Sequence, residues 1–178
     1  MTNPRKLLKI LIAEDDVDIL ESYKEICELN NFNVLVAKDG DECLDIYREE
    51  FLSKKLTSDP DVSNSLFDVV ILDYMMPGKN GLQSAQVILS INPHQRIIFA
   101  SAYLEGTISE SIKQLGKVIE VIKKPFPLNK LIDLINNKEI FQQLEKLNID
   151  INNLKQINPN QESMKIYLEV LTMLKKNN

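Results

Sequence analysis

Five short, mostly apolar runs alternate along the chain with longer stretches of helical periodicity, and this alternation restricts the fold more than any other feature. The runs cover residues 7–13, 32–37, 69–72, 96–100 and 118–122. Runs of this length are typical of strands buried on both faces of a parallel sheet, with helices supplying the crossovers. Short right-handed crossovers favour a doubly wound α/β sheet of five parallel strands in the order 2-1-3-4-5.

A predicted helix follows each predicted strand. Helical periodicity is found over 19–29, 43–51, 82–89 and 107–115, and in the amphipathic set Leu128, Leu131, Ile132 and Ile135. Cys27 and Cys43 fall on the apolar faces of the first two helices, so we expect both thiols to be buried. These helices would cover both faces of the sheet.

Acidic residues follow two of the apolar runs. Glu14, Asp15 and Asp16 come directly after the first run, and Asp73 ends the third. If the two strands are neighbours, their carboxyl ends meet at one edge of the sheet and bring three or four carboxylates together. Such carboxylates repel one another unless a cation keeps them ionised, and an all-oxygen ligand set suits Mg²⁺. The pattern therefore predicts a site for phosphate chemistry.

The fourth and fifth strands add a hydroxyl and an amine to the same edge. The fourth run ends in Ser101, and the fifth is followed by Lys124, Pro125 and Phe126. With these pieces in place, the sequence resembles the receiver domain of two-component response regulators, the chemotaxis-regulator type of flavodoxin-like fold. The matching motifs lie at residues 10–16, 72–81, 100–102 and 124–126, each after a predicted strand. The resemblance covers about residues 5–137.

The resemblance implies a role for the acids. Asp73 would accept a phosphoryl group from a sensor histidine kinase or a phosphotransfer protein. Glu14 and Asp15 would hold Mg²⁺ beside Asp73, and the main-chain carbonyl of Met75 would be a further ligand. The protein would then be a switch, catalysing only its own phosphorylation and dephosphorylation, and not an enzyme with turnover.

The resemblance also implies roles around the phosphoryl group. Lys124 and Ser101 would each contact a phosphoryl oxygen, and the family commonly has a cis bond before Pro125. The family usually has an aromatic residue three positions before this lysine, where the present chain has Val121. This departure places in doubt the coupling of Ser101 to an aromatic rotamer switch. Tyr103 is expected to affect water access to an acyl phosphate.

Two segments extend the minimal receiver pattern. A long polar connection is predicted over about residues 49–67. Beyond the predicted receiver domain, residues 138–178 carry two apolar helical stripes and no recognised output domain. The first stripe consists of Ile140, Phe141, Leu144 and Leu147, and the second of Met164, Tyr167, Val170, Leu171 and Leu174. Such helices would pack on each other, on the receiver domain, on a downstream protein target or in a homodimer.

Charge and hydropathy limit the partners. Residues 1–137 carry 15 Lys/Arg and 21 Asp/Glu, and residues 138–178 carry 6 and 5. Neither part has the basic stripe of a nucleic-acid-binding protein, and no apolar run is long enough to span a bilayer. We therefore expect a cytoplasmic protein that signals through protein–protein contacts.

Two alternatives remain open at this point. The first is a DNA-binding transcriptional regulator whose tail is a minimal helical output, although that tail is nearly neutral. The second is a phosphatase-like enzyme that uses an Asp nucleophile and Mg²⁺. Such an enzyme needs a second acid to protonate its leaving group, and no acid directly follows the pair Asp73 and Tyr74.

Overall fold

A parallel sheet of five strands forms the middle layer of the fold. The computed structural model describes residues 7–56, 66–102, 115 and 119–137. The strands are β1 (Lys9–Ala13), β2 (Asn33–Ala37), β3 (Val69–Asp73), β4 (Ile97–Ser101) and β5 (Glu120–Lys123). Their order is β2-β1-β3-β4-β5, and all four pairings are parallel. The predicted doubly wound sheet is confirmed.

Four described helices cover the two faces of this sheet. They are α1 (Val17–Leu29), α2 (Gly40–Leu56), α3 (Gly81–Ile91) and α4 (Leu128–Asn136). Each face has its own apolar core, because alternate residues of a strand point to opposite sides. Ile10 of β1 packs in the core with α1 and α4, whereas its neighbour Leu11 packs in the core with α2 and α3. Both cysteines are buried, as predicted.

The second helix is longer than its apolar pattern indicated. It continues to Leu56, so the first part of the connection predicted over 49–67 is helical. The chain has no Gly or Pro between Asp41 and Thr57 to end the helix, and the basic residues Lys54 and Lys55 in the last turn favour the negative end of the helix dipole. Residues 57–65 of this connection lie outside the described residues.

Other expectations also fall on residues that the structure does not describe. The predicted helix over 107–115 lies outside them except for Leu115, and so do Tyr103 and the predicted tail helices. Within the described ranges, no helix is both long and apolar enough to cross a bilayer.

Two helix caps fix the loops that leave the carboxyl edge of the sheet. Asp16 caps α1, since its carboxylate accepts hydrogen bonds from the main-chain N–H groups of Asp18 and Ile19 at 3.0 and 3.1 Å. Asn80 and Gln83 form a reciprocal capping box at the start of α3. The first cap holds Glu14 and Asp15 between β1 and α1.

Candidate functional site

Three acidic residues meet at the carboxyl edge of the sheet. One carboxylate oxygen from each of Glu14, Asp15 and Asp73 lies within 4.8 Å of the others. The arrangement follows from the register, because Ala13 at the end of β1 is paired with Leu72 of the adjacent β3. Glu14 and Asp73 are buried, with 2% and 9% of their surface exposed, whereas Asp15 is open to solvent.

Lys124 contacts two of these acids. Its Nζ lies 2.5 Å from Oε2 of Glu14 and 3.1 Å from Oδ2 of Asp73. The main-chain N–H of Lys124 donates to the carbonyl of Ser101 at 2.8 Å, which holds the residue at the end of β5. The bond between Lys124 and Pro125 is cis, as the resemblance led us to expect. One ammonium group therefore contacts two of the three carboxylates.

The electrostatics of Glu14 reflect this crowding. Burial is the main cause that raises its pKa, and the negative charge of Asp73 adds to the effect, while Lys124 opposes it. The resulting pKa of Glu14 is about 7. A group with this pKa is ionised readily when a second positive charge arrives, which a cation bound among the three carboxylates would supply. The oxygen-only donor set fits a hard divalent ion such as Mg²⁺.

The loop after β3 is held close to Asp73. The main-chain N–H of Met75 donates to Oδ1 of Asp73 at 3.3 Å, and the N–H of Gly81 donates to the carbonyl of Tyr74 at 3.1 Å. A Cβ atom on Gly81 would lie only 2.2 Å from the main-chain oxygen of Asp73, so glycine is needed for this close approach. Met75 is thus fixed beside the acids, with its side chain 59% exposed.

Ser101 lies at the same edge as the acids and is buried. It ends β4, one residue beyond Ala100, which is the register partner of Asp73. Val121 lies opposite Phe99 on the neighbouring strand and is partly exposed. The structure therefore brings Ser101 to the edge where Glu14, Asp73 and Lys124 meet.

Two aromatic residues near the acids were missed as site residues in the sequence. The ring of Tyr23 in α1 stacks on the ring of Phe126, with centroids 5.5 Å apart and planes at 15°. In the sequence, Tyr23 is only one apolar position in the periodic stretch 19–29, and its place soon after Glu14, Asp15 and Asp16 is the one available signal.

Comparisons with known proteins find related sequences for most of the described residues. Residues 10–136 match the family model described as the response regulator receiver domain. The transcriptional regulatory protein CpxR of Escherichia coli K12 is 32% identical over 80 residues, which are 45% of this chain and 28% of CpxR. The response regulator MprA of Mycobacterium sp. KMS is 28% identical over 126 residues, 70% of this chain and 47% of MprA. The chain thus spans less than half the length of either relative.

Solved structures give the same fold. A receiver domain protein from Clostridium thermocellum superposes with a TM-score of 0.60 at 29% identity, covering 78% of this chain and 99% of that one. A CheY-like receiver domain protein from Methanospirillum hungatei has a TM-score of 0.61 at 25% identity, covering 79% and 98%.

Proposed function

The chain belongs to the response regulator receiver domain family of two-component signalling, and we propose that it acts as a phosphorylation switch with Asp73 as the acceptor. One observation carries this proposal. The carboxylates of Glu14, Asp15 and Asp73 converge, and Lys124 contacts both Glu14 and Asp73. The ammonium of Lys124, together with a cation held by the carboxylates, could neutralise the charge of a phosphoryl group and hold it beside the nucleophilic carboxylate of Asp73.

The reaction is a phosphoryl transfer onto Asp73. The donor is the phosphohistidine of a sensor histidine kinase or a phosphotransfer protein. A carboxylate oxygen of Asp73 forms the new O–P bond while the N–P bond breaks and the imidazole leaves. The transition state spreads negative charge over three equatorial oxygens, so positioned positive groups supply most of the acceleration. Water later attacks the acyl phosphate, releasing phosphate and restoring the carboxylate.

Glu14, Asp15, Asp73 and the main-chain carbonyl of Met75 would hold Mg²⁺. When bound, the ion supplies the positive charge that lets the carboxylates and phosphoryl oxygens approach one another. The cap that Asp16 makes on α1 and the hydrogen bond from Met75 to Asp73 support this set, because they fix the two loops that carry the ligands.

Lys124 and Ser101 bind the phosphoryl group. The ammonium of Lys124 lies 3.1 Å from Asp73. When Asp73 is phosphorylated, this ammonium can form an ion pair with a phosphoryl oxygen. Ser101 offers a hydroxyl from the end of β4, and a bond from it to the phosphoryl group would draw the loop after β4 inward. With Val121 in the place of the usual aromatic, the signal passes through loop and helix shifts.

The output is a protein–protein contact in the cytoplasm. We assign residues 5–137, including the connection between α2 and β3, to the receiver domain and residues 138–178 to a helical tail. The tail contacts a downstream protein target or forms a homodimer. Since CpxR and MprA are much longer than the matched region, their whole-protein activities give no direct guide to this output.

Chemical trapping would test Asp73 as the acceptor. After incubation with Mg²⁺ and a small acyl phosphate, borohydride should reduce an aspartyl phosphate to homoserine, and peptide mapping should locate homoserine at position 73. Homoserine at Asp15 or Asp16 in place of position 73 would reject the assignment. The same treatment without phosphodonor is the control.

A further inference from the structure

The stacked pair of Tyr23 and Phe126 joins α1 to the loop after β5. Tyr23 is 5% exposed and belongs to the apolar core between the sheet and helices α1 and α4. Phe126 is half-buried and packs against that same core. A parallel, offset contact of this kind between two rings contributes beyond the area that it buries, so it restrains the loop.

The restrained loop is the one that carries Lys124. Phe126 lies two residues after Lys124, and Pro125 between them has a fixed φ angle. On its other side, Lys124 is tied to Ser101 by a main-chain hydrogen bond of 2.8 Å. The main chain at Lys124 is therefore held at two points. Its own N–H is bonded to β4, and Phe126, two residues later, is stacked on Tyr23 of α1.

The acidic residues also act on the phenol of Tyr23. Burial raises its pKa, and the negative charges of Glu14, Asp73 and Asp16 raise it further. The phenol therefore remains protonated, so Tyr23 adds no charge to the group of residues that Lys124 contacts.

We propose that Tyr23 is a positioning residue for Lys124: its ring holds Phe126, and so keeps the ammonium of Lys124 between Glu14 and Asp73. The inference rests on the proposed function, in which Lys124 binds the phosphoryl group. Small errors of placement in such a group reduce rates strongly, because charge stabilisation requires fixed geometry. The aromatic ring of Tyr23 performs this positioning, and its hydroxyl group contributes little.

The chain offers a matched control in Tyr47. This tyrosine is also buried and also contacts a phenylalanine, Phe67, with ring centroids 5.7 Å apart. It lies in the core on the opposite face of the sheet, and its hydroxyl donates to Oε1 of Gln95 at 3.0 Å. Replacing Tyr47 by Leu removes a buried aromatic pair without touching the loop of Lys124.

The first test compares phosphorylation rates at saturating Mg²⁺ and a small acyl phosphate. Y23L should react about tenfold more slowly than wild type, Y23F should restore most of the rate, and Y47L should keep it. In a K124M background, Y23L should cause no additional loss. An unchanged rate in Y23L, an equal loss in Y47L, or an additional loss in the K124M background would overturn the positioning role.

The second test does not depend on phosphorylation. In ¹⁵N-lysine-labelled protein, the ammonium resonance of Lys124, assigned with K124M, should be protected from exchange in wild type, Y23F and Y47L. In Y23L, this resonance should disappear because the ammonium protons exchange rapidly with water once the ion pairs with Glu14 and Asp73 are weakened. A protected resonance in Y23L would overturn the inference. If wild type accepts no phosphoryl group, the proposed function fails, and this spectrum still decides whether Tyr23 positions Lys124.

Discussion

Lys124 and Glu14 form an ion pair across the carboxyl edge of the sheet, with Nζ 2.5 Å from Oε2, although 110 positions separate them in the chain. Glu14 follows β1 and Lys124 follows β5, and strands β3 and β4 lie between them. The lysine thus spans the site above Asp73, whose Oδ2 it also contacts at 3.1 Å. The acids and the lysine are therefore one coupled electrostatic unit, from which the first two predictions follow.

Without metal, the stability of the protein should fall as the pH rises from about 4.5 to 7. Burial and the charge of Asp73 raise the pKa of Glu14 from 4.5 to about 7, so the folded state holds a proton that the unfolded state has released. The contribution of Glu14 to stability is fully present below its pKa of 4.5 in the unfolded state. It is lost as the pH rises through the folded pKa of about 7. Urea unfolding in chelator at pH 5 and 7.5 should show a loss about 2 kcal/mol larger in wild type than in Glu14→Gln. Parallel pH profiles for the two proteins would refute the role of Glu14.

Asp15→Asn should weaken Mg²⁺ binding without destabilising the metal-free protein. Three carboxylates face one ammonium, so removing one negative charge relieves repulsion, and the exposed position of Asp15 leaves little packing to lose. Thermal melts in chelator should give an equal or higher Tm for the variant, and Mg²⁺ should raise its Tm less than it raises that of wild type. A clearly lower Tm for the metal-free variant would contradict the repulsion model.

Arg96→Met should destabilise the fold far from the acids. The guanidinium of Arg96 contacts both carboxylate oxygens of Glu120, at 2.6 and 2.8 Å, and donates to the carbonyls of Leu134 and Ile135 at the end of α4. Removing it leaves the half-buried Glu120 without the buried guanidinium of Arg96, which should lower the free energy of unfolding by about 3 kcal/mol.

An exposed ion pair supplies the control for Arg96. Arg48 contacts Asp45 at 3.4 Å on the surface of α2, and Arg48→Met should change the free energy of unfolding by less than about 1 kcal/mol. Replacing Glu120 by Met as well should recover part of the loss in Arg96→Met, because no buried charge then remains. Equal effects of Arg96→Met and Arg48→Met in urea unfolding would show that burial of the Arg96 pair is unimportant.

If the tail forms the homodimer that is one of its two proposed outputs, removing the residues after Asn137 should convert a dimer into a monomer. The sequence predicts short helices for the apolar stripes of residues 138–178, and helices of that length need a surface to cover. The contacts of Arg96 with the end of α4 remain in the truncated protein, so the receiver domain should keep its fold. Light scattering on both proteins gives the molar mass. If both are monomers, with and without phosphorylation, the tail does not mediate dimerisation.

Much of the fold could be predicted from the sequence because the buried strands are continuous apolar runs. The end of such a run also locates the residues at the edge of the sheet, so the convergence of the acids after β1 and β3 could be foreseen. The length of α2 could not, because Leu52 and Leu56, the apolar residues of the helix after Phe51, are exposed and do not continue its buried face. Its extension to Leu56 depends on the absence of a helix-breaking residue.

Contacts between distant elements could not be predicted from the sequence. The burial of Arg96 depends on the register that brings Glu120 of β5 alongside β4 and on where α4 ends. The stacking of Tyr23 on Phe126 likewise depends on how α1 lies against the loop after β5. In the sequence, Arg96 was only the first residue of a strand and Tyr23 only one apolar position on a helix. Local patterns carry no information about such pairings.

Intact-mass measurement shows whether Asp73 accepts a phosphoryl group. Incubation of the full chain with Mg²⁺ and a small acyl phosphate should add the mass of one phosphoryl group to wild type and none to Asp73→Asn. Asp16→Asn is the matched control, since asparagine keeps the cap on α1 and should leave the modification intact. An unmodified wild type with several donors, or equal modification of Asp73→Asn, would contradict the assignment of Asp73 as the phosphoacceptor.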